Sequence, residues 1–337
     1  MPYPANSAPR PPSTFEPDPY VGRFAPSPSG PLHFGSLVSA LASYLHARTG
    51  GGKWLVRMED LDPPREEAGA KESILATLEA HQLHWDGDIL FQSDRQKAYE
   101  ATLERLLAAG LAYRCRCTRK DIRALGGVYD GRCRDRAVSP DEPHAWRLKL
   151  FDVPEGHTEP ADPYRWTDLF QGPQAQSLRQ EVGDPIIKRK DGLFAYQLAV
   201  IVDDIEQGVT HVIRGMDLLP VSAGQLAAFA LMGGQPPALG HVPVANNELG
   251  QKLSKQHHAP PLQSKKAGTN LWYALDFLQQ RPPAELRGAA PEVVLEWAQA
   301  HWQPERIRAR EGKAPTAMLN PTNAAPTTTD RPEENRE

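Results

Sequence analysis

The sequence predicts an α/β fold built on a parallel sheet, and three observations carry that prediction. A short apolar run, YVGRFA, passes through a proline- and glycine-rich loop into a segment of helical periodicity, LVSALASYLHARTG. Strand-like and helix-like segments then alternate, are interrupted between residues 113 and 185, and alternate again. The composition is that of an ordinary globular chain: 337 residues, 40% hydrophobic and 24% charged, enough for one large core or two smaller ones.

Each element has its own warrant. YVGRFA reads as a buried strand, and the helix after it stops at Gly50 to Gly52. KWLVRME is the next apolar strand, and residues 65–84 and 94–109 read as helices. Strand, glycine-rich loop, helix, strand, helix is the grammar of βαβ units, whose parallel strands need a crossover. The pattern breaks at Tyr113. Cysteines, many arginines and the turn signals Pro140, Pro143, Pro154, Pro160 and Pro163 follow, so 113–185 reads as an insertion with its own small fold. Alternation returns with GLFAYQLAVIVDDI, THVIRGMDLL and a helix near 223–232, and GHVPVA is one more strand. The loop LGQKLSKQ and helices at 271–280 and 291–302 come last. The expected plan is a disordered proline-rich lead-in at 1–19, a main domain from 20–112 and 186–245, the insertion, a loop and helical extension at 246–303, and a disordered tail at 304–337.

Composition excludes some classes of function. No apolar run approaches the roughly 18 to 20 residues of a membrane span. The N-terminal stretch has no apolar h-region, so it is not read as a signal peptide. Cys115, Cys117 and Cys133 are the only cysteines and share one segment; this argues against a disulfide framework and for a reducing, cytoplasmic setting with a metal site. The three sulfurs suit zinc, with Tyr129 or a water as fourth ligand. The net charge of −4 points to no partner, but Arg114 to Arg136 holds eight basic residues against three acidic ones, a local excess that suits a phosphate backbone.

Two strings carry chemistry. In RFAPSPSGPLHFGS, between a strand and a helix, the helix N-terminus offers free N–H groups and a positive dipole end. Gly30 and Gly35 allow close approach of a nucleotide, and His33 can donate to a phosphate oxygen. In QKLSKQ, Lys252 and Lys255 flank Ser254 and can bring positive charge to a triphosphate. His81, His84, His257 and His258 lack ligand partners at useful spacing, and Trp54, Trp85 and Trp272 read as packing residues.

Together these strings resemble the HIGH and KMSKS regions of class I aminoacyl-tRNA synthetases in their glutamyl form, and RMEDLDPPR and FAYQLAVIVDDIEQGVTHVIRGMDLL look like the same branch. The resemblance spans about Tyr20 to Leu278. It implies a Rossmann-like class I catalytic domain with an inserted zinc-containing subdomain and a short C-terminal helical extension. It implies that Arg23, Phe24, Ala25, Pro26, Ser27, Glu59, Tyr196 and Arg214 form the glutamate pocket, Glu59 holding the ammonium group. ATP, with Mg²⁺, falls to Pro26, Gly30, His33, Gly35, Ser36, Lys252, Ser254 and Lys255, and His33 and Lys255 stabilise the reacting phosphorus. The substrate chemistry agrees: two arginines can each fork a carboxylate, and one acid can pair with an ammonium. Ser36, Leu253 and Gln256 depart from the family's motifs.

Too few residues follow the KLSKQ loop for an anticodon-binding domain of typical size. That shape resembles the glutamyl-Q tRNA(Asp) synthetase family, truncated paralogues of glutamyl-tRNA synthetase. The resemblance implies glutamate activation without tRNA, transfer to queuosine at the wobble position of tRNA(Asp), a monomer, and one structural zinc held by Cys115, Cys117, Cys133 and Tyr129. A minimal synthetase charging an ordinary 3′ end and a silent tRNA-binding paralogue stay open as alternatives.

Overall fold

The structure is a computed structural model that describes residues 19–253, 259–308 and 311–319. The chain starts with β1 (Val21–Phe24), α1 (Phe34–Thr49) and β2 (Lys53–Met58). α2 (Ala70–Ala80), β3 (Leu90–Phe91) and α3 (Gln96–Ala108) follow. α2 is shorter than the expected 65–84. Pro63 and Pro64 open a single 3₁₀ turn, and Gly69, at φ 77°, sets the entry to the helix.

The insertion runs through β4 (Ala112–Cys115), α4 (Arg119–Ala124), β5 (Ala145–Leu148), β6 (Tyr164–Asp168), β7 (Gly172–Gln176) and β8 (Ile186–Lys188). β4, β5 and β8 make an antiparallel sheet, and β6 and β7 a hairpin. The main domain resumes with α5 (Tyr196–Glu206), β9 (His211–Gly215), α6 (Ser222–Leu231) and β10 (Ala238–Val242). The expected single strand GHVPVA is two, because Pro243 has no N–H to donate to a ladder: β10 ends before it and β11 (Val244–Asn246) leaves the main sheet. α7 (Ala267–Phe277) and α8 (Pro291–Ala300) come next.

The expected disordered tail does not begin at 304. A 3₁₀ turn at Pro304–Arg306, β12 (Glu311–Lys313) and α9 (Thr316–Leu319) lie beyond that point, and β12 pairs in parallel with β11. Ile307, Ala314 and Met318 are buried, so apolar side chains hold this segment although its composition is polar.

Five parallel strands in the order β10-β9-β1-β2-β3 form the main sheet. α1 packs on β1 and β9 and also against α7 and α8. A helix buried on several sides must be apolar on several sides. Accordingly Leu37, Val38, Leu41, Leu45 and Ala47 are all inaccessible, and the C-terminal helices share one core with the sheet. Trp54 is part of that core, with its indole N–H given to Ser43 Oγ at 2.9 Å. A second core joins α3, α5 and α6 to the insertion strands.

Candidate active site

In this sheet the chain steps from β1 outward to β2 and β3, and from β9 outward to β10 on the other side. The direction reverses between β1 and β9, and an open α/β sheet leaves a crevice at the carboxyl ends of the strands there. A cleft of about 700 Å³ occupies that place. Arg23 to Ser27 enter it from the end of β1, Glu59 from the end of β2, and Arg214 from β9. Gly30, His33, Gly35 and Ser36 line it at the head of α1, Tyr196 at the head of α5, and Lys252 from the loop after β11. Ser254, Lys255, Gln256, His257 and His258 lie outside the described residues.

Local structure explains why these residue types stand here. Gly30 sits at φ 130°, a region that L side chains rarely adopt. A Cβ on Gly35 would stand 3.2 Å from the His33 ring. His33 caps α1, its Nδ1 accepting from the Ser36 amide at 3.3 Å, which leaves the ring proton on Nε2. The first-turn amides of α1 therefore open on the cleft beside a donor imidazole. Lys252 Nζ pairs with Asp217 Oδ2 at 2.5 Å and ties its loop to the segment after β9.

Arg23 is anchored from behind the cleft by a charged network around Asp204 that sequence reasoning did not single out. Asp204 takes Arg23 Nε at 3.2 Å and Nη2 at 3.1 Å, and also Arg57 Nη2 at 2.6 Å. Burial would raise the Asp204 carboxyl, but Arg23 and Arg57 outweigh it and hold it below its ordinary range. Asp203, next in the chain, accepts from Gln92, Tyr99 and Arg95. A signal was present: Arg57 inside KWLVRM, and two aspartates inside LAVIVDDI, are charges in apolar runs, and a buried charge needs a partner.

Arg214 is held as firmly. Its Nε donates to His241 Nε2 at 3.0 Å, Nη1 to Gln225 Oε1 at 2.6 Å and Nη2 to Ser222 Oγ at 2.9 Å. Because His241 accepts at Nε2, its proton is on Nδ1, donated to Asp168 Oδ2 at 2.5 Å. Burial lowers the His241 pKa, in keeping with a neutral ring. The two arginines thus do not present open forks: Arg23 forks Asp204, and Arg214 is clamped by protein acceptors. Arg23 keeps its Nη1 protons for a ligand, and Arg214 keeps one Nη1 proton beside the one given to Gln225.

Glu59 differs from these groups. Its side chain is only 10% exposed, and Oε1 has no hydrogen-bond partner among the described residues. The nearest cation, Arg57, stands 3.8 Å away. Burial pushes the carboxyl up to about 7, against the pull of Arg57 and Arg23. A buried carboxylate with an oxygen that accepts no hydrogen bond, on the wall of a cleft, is suited to a cationic ligand group.

In the insertion, the sulfurs of Cys115, Cys117 and Cys133 lie within 4.8 Å of one another, and Cys117 and Cys133 are 3.6 Å apart. A tetrahedral ion with Zn–S bonds near 2.3 Å would set sulfurs about 3.8 Å apart. The Tyr129 hydroxyl accepts from the Cys133 amide at 2.9 Å, at the edge of the same cluster. Burial and the neighbouring thiols push Cys117 up to about 12, a cost that a cation would remove. Part of the expected basic excess is internal: Arg134 forks Asp184 at 2.7 Å, Arg132 pairs with Asp130, and Arg114 lies over Trp146.

Comparison with known proteins gives the family and the fold. Residues 20–268 match the family tRNA synthetases class I (E and Q), catalytic domain. The chain is 51% identical over 288 residues to the glutamyl-Q tRNA(Asp) synthetase of Ectopseudomonas mendocina (strain ymp), covering 86% of this chain and 95% of that one. It is 50% identical over 293 residues to the protein of the same name from Thiobacillus denitrificans, covering 85% and 94%. Among solved structures, a glutamate tRNA ligase from Elizabethkingia meningosepticum, in complex with its amino acid, superposes with a TM-score of 0.70 at 23% identity, over 89% of this chain and 68% of that one. At that identity the likeness is one of fold.

Proposed function

The chain belongs to the class I tRNA synthetases of the glutamate and glutamine type and, within them, to the glutamyl-Q tRNA(Asp) synthetases; on that premise we propose how its cleft works. It activates L-glutamate with ATP as glutamyl-adenylate and passes the glutamyl group to queuosine in tRNA(Asp). Glu59 carries the reading of the pocket: a buried carboxylate whose Oε1 accepts no hydrogen bond among the described residues faces the same space as Arg23 and Arg214. Glu59 takes the ammonium of glutamate, and the remaining guanidinium protons, with Tyr196, take a carboxylate.

In the first step a glutamate carboxylate oxygen attacks the α-phosphorus of ATP. A C–O–P linkage forms, and pyrophosphate leaves with the electron pair. His33, the α1 amides and Lys252 face the charge that builds on phosphorus, and the motif assigns Lys255 to the same charge. Mg²⁺ enters with the nucleotide. In the second step a queuosine hydroxyl attacks the glutamyl carbonyl carbon. An ester forms, AMP leaves, and the hydroxyl proton goes to the departing phosphate. No protein nucleophile is needed, since placement and charge carry both steps. One zinc on Cys115, Cys117, Cys133 and Tyr129 cross-links the insertion. One chain holds every residue of this route, so a monomer suffices.

Labelled glutamate acceptance with ATP and Mg²⁺ tests the acceptor. Only tRNA from queuosine-replete cells should be labelled, and the label should survive removal of the 3′ terminal adenosine. Equal labelling of queuosine-deficient tRNA, lost with that adenosine, would make the chain a minimal 3′-charging synthetase.

A further inference from the structure

A second chamber of about 190 Å³ opens beside the cleft, and Ser27, Glu59 and Tyr196 line both volumes. The chamber is amphipathic. Leu61 and Phe194, both buried, give it apolar walls; Asp62 and Glu66 give it carboxylates, and Arg65 and Arg189 guanidiniums. Glu59, nine-tenths buried and with no hydrogen bond to Oε1 among the described residues, stands where the chamber meets the glutamate pocket. Asp62 is ion-paired through one oxygen only: Arg189 Nη1 donates to its Oδ2 at 3.0 Å and Arg65 stands 3.9 Å from the same oxygen. Oδ1 accepts no hydrogen bond among the described residues. Glu66 uses Oε2 on Lys71 at 3.2 Å.

The acceptor chemistry of the proposed function asks for such a chamber. Queuosine is a 7-deazaguanosine whose carbon at position 7 carries an aminomethyl link to a cyclopentene diol. It thus adds a small apolar ring, two hydroxyls and an alkylamine that is charged at neutral pH, as lysine is. The hydroxyl must reach the glutamyl carbonyl, so the ring and the amine must lie next to the glutamate pocket. The chamber holds a five-membered ring and its linker, not a whole nucleotide.

We propose that this chamber is the queuosine-specificity site: Leu61 and Phe194 receive the cyclopentene ring, and Asp62, seconded by Glu66, pairs with the linking ammonium. Guanosine has no such cation and leaves Asp62 Oδ1 unpaired. The discrimination is therefore a charge-assisted hydrogen bond present for one base and absent for the other. This assignment rests on the queuosine reading of the acceptor.

The test is the affinity of the full chain for two anticodon stem-loops, one with queuosine and one with guanosine at the wobble position, for wild type, Asp62→Asn and Asp62→Glu. Asp62→Asn should weaken the queuosine loop about 10- to 100-fold, the usual scale of a charged hydrogen bond, and leave guanosine-loop affinity unmoved. Asp62→Glu should restore part of the preference. Equal weakening of both loops would mean that Asp62 only positions Arg189, and an unchanged preference would remove it from recognition; either overturns the assignment. Wild-type transfer of labelled glutamate to the queuosine loop separates the two readings. Its failure would sink the proposed function, whereas transfer with an unmoved preference in Asp62→Asn would sink only the chamber.

Discussion

Glu59 is the residue whose protonation state the cleft most depends on. Its carboxyl, pushed up to about 7 by burial, must be ionised to pair with an ammonium. Glutamate binding should therefore weaken as pH falls through 7, with KM for glutamate in pyrophosphate exchange rising about tenfold per unit well below that point. Glu59→Gln should raise KM at pH 8 and flatten its dependence between pH 6 and 8. A wild-type KM independent of pH over that range would remove Glu59 from the pocket. Stability should move the opposite way. A raised carboxyl pKa means that the folded state holds its proton more tightly than the unfolded chain, so stability is lost as pH rises from 4.5 to about 7. At pH 8 Glu59→Gln should then unfold at higher denaturant, by up to about 3 kcal/mol. The motif strings made Glu59, Arg23 and Arg214 legible in the sequence. The pairings of Asp204, His241 and Asp168 were not, because Asp204 and His241 reach their arginines, and Asp168 reaches His241, from distant elements, and pairing of that kind is set by packing rather than spacing.

At the scale of elements, the strand–loop–helix head of the fold was legible because its signals are local: a glycine loop, a capping histidine and an apolar helix lie within thirty residues (21–50). The insertion was legible only as an interruption. Its antiparallel sheet pairs β4, which ends on Cys115, with β5 across some thirty residues that hold Cys117 and Cys133, so register there depends on contacts rather than periodicity. The small core around Tyr113, Cys115, Tyr129 and Cys133 has little apolar area of its own. A metal cross-link would supply what the core lacks. Metal analysis of the purified protein should find about one zinc per chain by the ligand count. Chelation or Cys133→Ser should expose the 113–136 segment to proteolysis while the parallel sheet stays folded. Transfer to tRNA should fall more than pyrophosphate exchange, since the cleft draws no residue from that segment. A metal-free protein with unchanged protease resistance and transfer would discard the site.

Across the whole molecule, the least legible relation is between the C-terminal stretch and the catalytic loop. Composition marks everything after Pro304 as a tail, yet β12 lies alongside β11, and the Ala314 amide donates to Asn246 O at 2.8 Å. Asn246 in turn faces Lys252 across an antiparallel bridge, and the Leu253 amide donates to Ala245 O at 2.8 Å. The tail strand thus backs the strand from which the phosphate-facing loop springs, with Leu253 anchored in the main core. Without β12, β11 would be an edge with unpaired amides and carbonyls, and the loop would lose its rigid base. Deleting residues 309–337 should therefore raise KM for ATP in pyrophosphate exchange and lower kcat, although no cleft residue is removed. Deleting only 320–337, which spares β12 and the buried Met318, should leave both constants near wild type. If the longer deletion kept full exchange, the strand would serve the core alone, and the loop would draw its order from Lys252–Asp217 and the Leu253 anchor.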